Sequence, residues 1–535
     1  MTTPLTVALV GPGFHENLAL EYLAAATLRS GHRAHTLFYG SCQDAPRVVE
    51  QVMRLNADVV GLSIAFQSCL SDSIYLAEQL RAVGFAGHIT CGGHVPSFEY
   101  AALLGDCPAI DSAVRHDGEL TLVELLTRLS HAEPLRGIPG LVWRDIQGLC
   151  VEPARRPLQA LDELPCPLRG VQPRRLEGIP MSFVIGSRGC VGDCAYCCIR
   201  AFARDARGPA YRLREPAAIA QEIADLTNKQ GLPAIFLEDD LFVLPSQTLA
   251  VARIQTLDQC LTEAGAAKCA YWAKARPDTV TPAVLDAAKQ LGIIHFFLGI
   301  ENHASARLQY LGRNHQPAQN EQALAMLSES GLGASFNLML FDPDCCLDDI
   351  AVNLDFMATH LDLPWNICRT ELYSGTELLQ RVRAAGRLLG DYRSYGYVMQ
   401  DTRAELMFRV VRVSFRQRAF DATSLLNHVI TLCFGYQLHQ ALCPGKDSDD
   451  LACEIQQLAV EVHRETVDAL RRILEFATRA DLEDTQTARR VAVKLGFEIN
   501  NKDLVWRKRC DQFSRLLDAR GRAVCGSAPL LHAMV

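Results

Sequence analysis

Short apolar runs along residues 1–133 alternate with stretches in which apolar positions recur at helical spacing. The runs are Val7–Val10, Ala34–Phe38, Val59–Ile64, His88–Cys91 and Ile110–Val114. Each run has the length of a buried strand, and each intervening stretch is long enough for a helix. The alternation predicts an α/β domain with a parallel, doubly wound (flavodoxin-like) sheet over residues 1–133.

The same alternation resumes over residues 181–400, after a proline-rich connecting stretch at 134–180. Six strands are predicted there, at Ser182–Ile185, Ala234–Leu237, Ala270–Ala273, Ile293–Leu298, Ser335–Leu340 and Asn366–Glu371. Six strand–helix units are too few for a closed eight-stranded barrel, so they predict a partial (β/α)6 barrel. In the connecting stretch, Gly140–Asp145 and Leu149–Glu152 predict a small hairpin, and the rest is expected to be an extended linker.

Residues 401–535 lose the strand pattern, and their apolar positions recur at helical spacing. Helices are predicted at Ala404–Val413, Leu425–Leu442 and Leu451–Leu474, with a turn over 443–450 before the last of them. This pattern predicts an all-helical C-terminal domain that closes the mouth of the barrel. A helix bundle that binds a protein partner is the alternative.

Three cysteines, Cys190, Cys194 and Cys197, stand in CxxxCxxC spacing on a glycine-rich loop that directly follows the first strand of the barrel. Four thiolates normally saturate a cubane iron–sulfur cluster. Three closely spaced thiolates therefore indicate a cluster with one open iron, which would be reactive. A zinc site and a chance spacing among the 20 cysteines are the alternatives.

The overall composition narrows the possible partners. The chain has 53 basic and 61 acidic residues, a formal net charge of −8, so general attraction to nucleic acid is not expected. No run of about 18 apolar residues occurs, which predicts no membrane span. The first residues lack the basic start of a secretory signal, and the many cysteines then indicate the reducing cytoplasm.

Ligands of parallel α/β sheets bind beyond the carboxyl ends of the strands. In residues 1–133 those ends carry small residues, which allow a planar ligand or a phosphate to approach the backbone. In residues 181–400 every strand end carries polar side chains. Any single one could cap a helix, but their convergence indicates one site. Arg369, Glu371 and Tyr373 at the last strand end are the predicted substrate contacts.

Four stretches of the first region are similar to the cobalamin-binding domain that precedes many radical S-adenosylmethionine domains. They are Glu16–Ala25, Val60–Ser63, Cys91–His94 and Gly118–Leu122. The resemblance implies that cobalamin contacts Gly11, Gly13, Ser63, Gln67, Gly92, Gly93, His94, Gly118 and Glu119. The DxHxxG stretch, whose histidine ligates cobalt in the methionine-synthase-like branch, is absent. The lower face of a bound cobalamin is therefore expected to lack a protein histidine.

The second region resembles the radical S-adenosylmethionine superfamily, whose most specific motif is the CxxxCxxC spacing. The resemblance implies that Cys190, Cys194 and Cys197 ligate three irons of a [4Fe–4S] cluster and that the fourth iron binds S-adenosylmethionine. The further residues that it implies for S-adenosylmethionine are Tyr196, Asp239, Asp240, Arg276 and Glu301.

The same resemblance assigns each of these residues a part of the S-adenosylmethionine molecule. Tyr196 would lie against the adenine, and Asp239 and Asp240 would receive the ammonium group. Arg276 would pair with the carboxylate, and Glu301 would contact the ribose.

Together, the two resemblances imply a cobalamin-dependent radical S-adenosylmethionine methyltransferase of class B that acts on an unactivated carbon of a natural-product intermediate. A 5′-deoxyadenosyl radical would abstract hydrogen from this small molecule, and methylcobalamin would supply the methyl group. An electron donor such as flavodoxin or ferredoxin would reduce the cluster. The alternatives are a ring contraction, cyclisation or other group transfer with the same cofactors, and a cobalamin or redox sensor with a structural cluster.

Overall fold

The computed structural model describes residues 3–13, 16–169, 173–442 and 449–525. The first region forms a seven-stranded sheet in the order β2-β1-β3-β4-β5-β6-β7. Its strands are β1 (Thr6–Pro12), β2 (Arg33–Tyr39), β3 (Val59–Ser63), β4 (His88–Gly92), β5 (Ser112–Val114), β6 (Leu141–Asp145) and β7 (Gly148–Val151). The first five strands are parallel, which confirms the predicted doubly wound sheet, and the strand order reverses between β1 and β3.

The hairpin predicted for the connecting stretch is present as β6 and β7, and it extends the first sheet. Strand β6 pairs antiparallel with β5, with Ala113 opposite Val142. The connecting stretch is thus partly built into the first sheet.

Helices cover both faces of this sheet because alternate residues of each strand point to opposite sides. Val7 and Leu9 pack with Leu20 and Leu122 on one face, and Ala8 packs on the other. The helices are α1 (Leu18–Arg29), α2 (Ala45–Arg54), α3 (Leu70–Ala82), α4 (His94–Asp106) and α5 (Glu119–Ser130). Helices α1 and α5 cover the first face, and α2, α3 and α4 cover the second.

The second region forms another seven-stranded sheet, in the order β16-β15-β14-β13-β12-β9-β8. Its strands are β8 (Arg174–Leu176), β9 (Ile179–Val184), β12 (Ala234–Leu237), β13 (Ala270–Ala275), β14 (Ile293–Glu301), β15 (Gly333–Phe341) and β16 (Trp365–Arg369). All except β8 are parallel, and β16 and β8 are the two edges. This open, six-stranded parallel sheet confirms the predicted partial barrel.

Helices and one small two-stranded pair connect these strands, and a further helix and a second pair follow β16. The two pairs are β10 (Ser187–Gly189) with β11 (Tyr211–Leu213), and β17 (Leu388–Leu389) with β18 (Gly396–Tyr397). The helices are α6 (Cys198–Asp205), α7 (Pro216–Ala224), α8 (Gln247–Glu263), α9 (Pro282–Leu291), α10 (Ser305–Tyr310), α11 (Pro317–Glu329), α12 (Leu347–Thr359) and α13 (Glu377–Ala384).

The C-terminal region is helical, as predicted, and comprises α14 (Thr402–Ser414), α15 (Leu425–Leu442), α16 (Asp449–Arg479) and α17 (Thr485–Cys525). Helix α15 packs against the amino ends of the barrel strands, where Leu438 joins Ile179, Ala234 and Ala270. These contacts lie at the edge opposite the predicted mouth. Most of the turn predicted over 443–450 lies outside the described residues. Within the described ranges, no helix is long and apolar enough to cross a bilayer.

Candidate active site

The carboxyl edges of the two sheets face each other, and ion pairs join them. Arg188 of β10 donates to Glu119 at the start of α5 at 2.6 Å. Arg212 of β11 donates to Asp117 at 2.6 Å, and the side chain of Asp205 at the end of α6 lies 2.8 Å from His116 Nε2. The two sets of strand ends that were predicted to bind ligands therefore border one interface.

The cysteine loop begins where β9 ends, and a buried carboxylate fixes its first residues. Asp239 accepts the backbone N–H of Gly186 at 3.1 Å and the hydroxyl of Ser187. Burial raises the pKa of Asp239 to about 6, and these hydrogen bonds oppose that shift. At Gly189 the backbone has φ of +91°, and a Cβ there would lie 2.2 Å from the carbonyl oxygen of Ala210. Glycine is therefore required for the loop to pair with β11.

Two of the three cysteine side chains, Cys190 and Cys194, border a hollow that Gly192 leaves open. A Cβ on Gly192 would lie 3.4 Å from Cys190 Sγ and 3.8 Å from Cys194 Sγ. Cys197 immediately precedes α6, so its thiol lies at the positive end of a helix. In the described part of the chain, no three His, Cys, Asp or Glu side chains converge as ligands of a single metal ion. Beyond the effect of burial, Cys194 lies near enough to Cys190 and Cys197 to raise the pKa of both thiols, so the three thiols form one group, as the ligands of a multi-iron cluster require.

The structure also brings the predicted S-adenosylmethionine residues to this loop. Burial raises the pKa of the Tyr196 hydroxyl, and the adjacent carboxylate of Glu301 raises it further. Glu301 has a left-handed backbone, with φ of +64°. Asp240 accepts the backbone N–H of Gly189 at 3.3 Å. Arg276 donates to both carboxylate oxygens of Asp278 at 2.9 Å, next to the cysteine hollow. The assigned contacts with S-adenosylmethionine stay predictions.

Arg313 is a site residue that the sequence analysis missed. Its Nη1 lies 3.7 Å from Cys194 Sγ, and its Nη2 donates to the carbonyl oxygen of Gly299. The carboxylate of Glu301 is also close enough to raise the pKa of this buried guanidinium. Arg313 thus places a buried positive charge beside the sulfur of Cys194. It follows α10 rather than a strand, so an examination of strand ends does not find it.

A cavity of about 290 Å³ lies at the carboxyl edge of the first sheet, between the strand ends and helices α1 and α5. Five of the nine predicted cobalamin contacts line it: Ser63, Gly92, Gly93, Gly118 and Glu119. Its other walls are largely apolar and include Leu9, Leu20 and Leu122. These residues fit the aromatic nucleotide tail of cobalamin.

The four remaining predicted contacts lie outside the lining of this cavity. Gly11 is the next-to-last residue of β1 and lies beside Asn17, and the N–H of Gly13 donates to Tyr39 O at 2.8 Å. Gln67 and His94 reach across to the second region, where Gln67 donates to Tyr392 O at 3.0 Å and His94 Nε2 lies 3.0 Å from Ser374 O. Their contact with cobalamin stays a prediction.

The second region closes one side of the cavity through Ile185, Arg188 and Phe202, which the sequence analysis did not single out. His116 also lines the cavity, has φ of +63° and is 4% exposed. Burial lowers its pKa, and its Nδ1 has no hydrogen-bond partner in the described structure. This unpaired buried nitrogen in the cavity wall can form a hydrogen bond with a ligand.

The predicted substrate contacts divide into two groups. The Tyr373 hydroxyl donates to Glu371 at 2.5 Å, and its ring lies 6.2 Å from that of Phe66 in the first region. Arg369 instead lies against the rings of Tyr397 and Phe408, 3.8 and 3.9 Å from their centroids. Glu371 and Tyr373 therefore lie near the interface between the sheets, and Arg369 is held by its own structural contacts.

Comparison with known protein families agrees with this arrangement. A family model of the B12 binding domain matches residues 4–126, and one of the radical SAM superfamily matches residues 184–351. The first range covers the five parallel strands of the first sheet, at whose carboxyl ends the apolar cavity lies. The second range begins at the cysteine loop and ends within α12. It covers four strands of the partial barrel, β12 to β15.

Two curated proteins and one solved structure are similar to most of this architecture. An uncharacterized methyltransferase of Pyrococcus horikoshii is 26% identical over 385 residues, covering 71% of this chain and 81% of that protein. An anaerobic magnesium-protoporphyrin IX monomethyl ester cyclase of Cereibacter sphaeroides is 24% identical over 362 residues, covering 61% of this chain and 55% of that protein. The cobalamin-dependent S-adenosylmethionine radical enzyme OxsB, solved with aqua-cobalamin and S-adenosylmethionine, has a TM-score of 0.68 at 15% identity and covers 98% of this chain and 85% of its own. That structural likeness establishes a shared fold.

Proposed function

Because the chain belongs to the radical S-adenosylmethionine enzymes that carry a cobalamin-binding domain, we propose that it methylates an unactivated carbon of a small natural-product intermediate. Its cofactors are a [4Fe–4S] cluster, S-adenosylmethionine and cobalamin. When bound, the cluster and S-adenosylmethionine supply a hydrogen-abstracting radical, and cobalamin supplies a methyl group.

The single observation that carries the proposal is a wall shared by the two cofactor regions. Arg188 and Phe202 line the apolar cavity, and they flank the cysteine loop on its two sides. A ligand in that cavity would therefore sit against the element that holds the cluster. Methyl transfer to an unactivated carbon requires the hydrogen-abstracting radical and the methyl donor to lie next to the same substrate molecule. A wall shared by the two cofactor regions provides that proximity.

The residues of the chain would contribute binding, orientation and exclusion of water. Cys190, Cys194 and Cys197 would hold the cluster, and the carboxylate of Asp239 would keep their loop in place. The guanidinium of Arg313 would stabilise charge beside Cys194. The ion pairs between the sheets would hold the substrate space closed to bulk water, which strengthens electrostatic interactions inside it.

Anaerobic reconstitution tests this proposal directly. We expect about one cobalamin per chain and, with a strong reductant, formation of 5′-deoxyadenosine from S-adenosylmethionine. Cys194→Ala should abolish 5′-deoxyadenosine and leave cobalamin binding intact, because Cys194 is not part of the cavity lining. Failure of the wild-type protein to bind cobalamin would contradict the proposal.

A second candidate uses the same cofactors for cyclisation or another rearrangement without net methylation. The similarity of 61% of this chain to a cyclase supports this second candidate function. The two reactions differ in their by-products, because methylation consumes an additional S-adenosylmethionine to restore the methyl donor. Turnover that yields S-adenosylhomocysteine together with 5′-deoxyadenosine supports methylation, and 5′-deoxyadenosine alone supports rearrangement.

A further inference from the structure

A second cavity, of about 380 Å³, lies along the open side of the partial barrel. Strand β16 and the residues just after it form one wall, and β18 and the C-terminal helical region form the other. Neither family model covers this wall, because the radical SAM match ends at residue 351. The cavity is thus a feature of this chain that the assignment of cofactors leaves unexplained.

The cavity adjoins the cluster region through a series of neighbouring polar groups. Cys368 lines the cavity, and the carboxylates of Glu301 and Glu371 both lie near enough to raise the pKa of its thiol beyond the effect of burial. Glu301 is the residue beside Tyr196 and Arg313. A molecule in this cavity would therefore extend towards the cysteine loop.

The charge of the cavity is set by Glu371. The charged residues in its described lining are Glu371 and Arg369. The guanidinium of Arg369 is stacked on Tyr397 and Phe408, donates to the carbonyl oxygen of Tyr397 at 2.6 Å and lies 3.7 Å from Glu405. These partners hold the guanidinium in place, and its buried Nε has no hydrogen-bond partner in the described structure. Glu371, by contrast, is exposed at the rim and accepts one bond from Tyr373.

Unpaired oxygen atoms add to this negative character. Thr370 is 2% exposed, and its hydroxyl oxygen has no hydrogen-bond partner in the described structure. The side-chain carbonyl oxygen of Asn337 in the same lining is also buried without a partner. A buried acceptor without a donor is costly, so the Asn337 oxygen indicates that a ligand supplies an N–H or O–H group there, and the Thr370 hydroxyl can accept a second such bond.

Aromatic rings complete the lining. Tyr395, Tyr397 and Phe420 all border the cavity, and the hydroxyl of Tyr395 is already bonded to Glu99 at 2.7 Å. The faces of such rings attract cations. A carboxylate, two unpaired acceptors and aromatic rings together favour a cation that also donates hydrogen bonds.

We propose that this cavity binds the substrate through a protonated amino group, which pairs with Glu371 and donates to Asn337 or Thr370. The substrate class is therefore an aliphatic or benzylic amine, and this inference rests on the proposed function. An anionic substrate is disfavoured because it would face the carboxylate of Glu371 without a free cation in the lining.

Three molecules of nearly equal shape test the proposal: benzylammonium, benzyl alcohol and benzoate. Each is added to anaerobic crystals of the wild-type protein with its cofactors, and its affinity is measured in solution by ligand-observed NMR. We expect benzylammonium in the cavity, with its nitrogen within hydrogen-bond distance of Glu371. We also expect affinity at least about tenfold higher than for the other two molecules, equivalent to about 1.4 kcal/mol.

Glu371→Gln should remove that preference, because it keeps the shape of the side chain and deletes its charge. Glu475→Gln, at a surface carboxylate paired with Arg479 on α16, is the matched control and should leave it unchanged. Benzylammonium absent from the cavity, benzyl alcohol bound equally well, or a preference that survives in Glu371→Gln would each overturn the proposal. These results do not depend on turnover. A failure of the amine proposal is therefore distinct from absence of cobalamin or of 5′-deoxyadenosine, which would overturn the proposed function.

Discussion

At the scale of single residues, the contact between the two domains contains more carboxylates than it can easily hold ionised. Arg169 bridges Glu16, Glu21 and Glu222 at distances of 2.7, 3.2 and 2.5 Å. Glu21 is 1% exposed, and burial raises its pKa to about 8, with further contributions from the charges of Glu16 and Glu222. At neutral pH this carboxyl group is therefore largely protonated in the folded protein.

The raised pKa of Glu21 gives the free energy of unfolding a defined pH dependence. The unfolded carboxyl ionises near its ordinary pKa of 4.5, and the folded one near 8. This difference lowers the free energy of unfolding progressively as the pH rises from 4.5 to 8. Glu21→Gln removes that loss, so the variant should gain stability over the wild type between pH 5 and pH 8, by on the order of 3 kcal/mol.

Denaturant unfolding of both proteins at several pH values measures this gain. Glu50→Gln, at an exposed carboxylate on α2, serves as the control and should show no such trend. A stability difference between Glu21→Gln and the wild type that stays constant from pH 5 to pH 8 would contradict the assignment.

At the scale of elements, the short strand β10 determines the position of the cysteine loop. Gly189→Ala should displace this strand, because its Cβ would lie 2.2 Å from a backbone oxygen that cannot move independently. We expect a loss of several kcal/mol in stability and a fall in iron bound per chain after reconstitution. Thermal unfolding and iron analysis measure the two effects.

Gly231→Ala provides the comparison for backbone strain alone. Gly231 also has a left-handed backbone, with φ of +65°, but a Cβ added there would meet no atom within 4 Å beyond its chain neighbours. This variant should lose about 1 kcal/mol and retain its iron. Equal losses of stability and of bound iron in the two variants would show that β10 has no special part in holding the cluster.

The elements also show which features a single sequence can reveal. All 11 predicted strand runs of the two sheets are confirmed, since parallel strands buried on both faces give continuous apolar runs such as Val7–Val10. The 41-residue helix α17 was not predicted, because its buried positions, including Leu495 and Ile499, are spaced among many charged residues. Its amphipathic signal is correspondingly weak.

The site shows the same division between local and long-range features. The sequence alone predicts the cluster ligands Cys190, Cys194 and Cys197, because their CxxxCxxC spacing lies within eight consecutive residues. Arg313 contacts Cys194 across 119 positions of sequence, and only the fold brings these two residues together. The cavity lining is also a long-range feature, because residues from both regions of the chain form it.

At the scale of the whole molecule, the pair formed by Arg188 and Glu119 joins the domains at the cavity wall. Their side chains are 18% and 7% exposed, so replacing one leaves the other charge poorly solvated. Arg188→Met should weaken the contact between the domains and release bound cobalamin at least about tenfold faster, which corresponds to about 1.4 kcal/mol.

Stopped-flow displacement of cobalamin measures this release rate. Arg204→Met is the control, since Arg204 pairs with Asp193 at an exposed position outside the cavity lining. Unchanged release from Arg188→Met would mean that the domain contact does not retain the cofactor.

The shared wall also constrains the order in which the enzyme is assembled. A compartment whose sides come from two domains is filled and emptied most readily while those domains are apart. The rate of cofactor loading should therefore depend on how often the domains separate, so a variant that weakens their contact should take up cobalamin faster as well as release it faster.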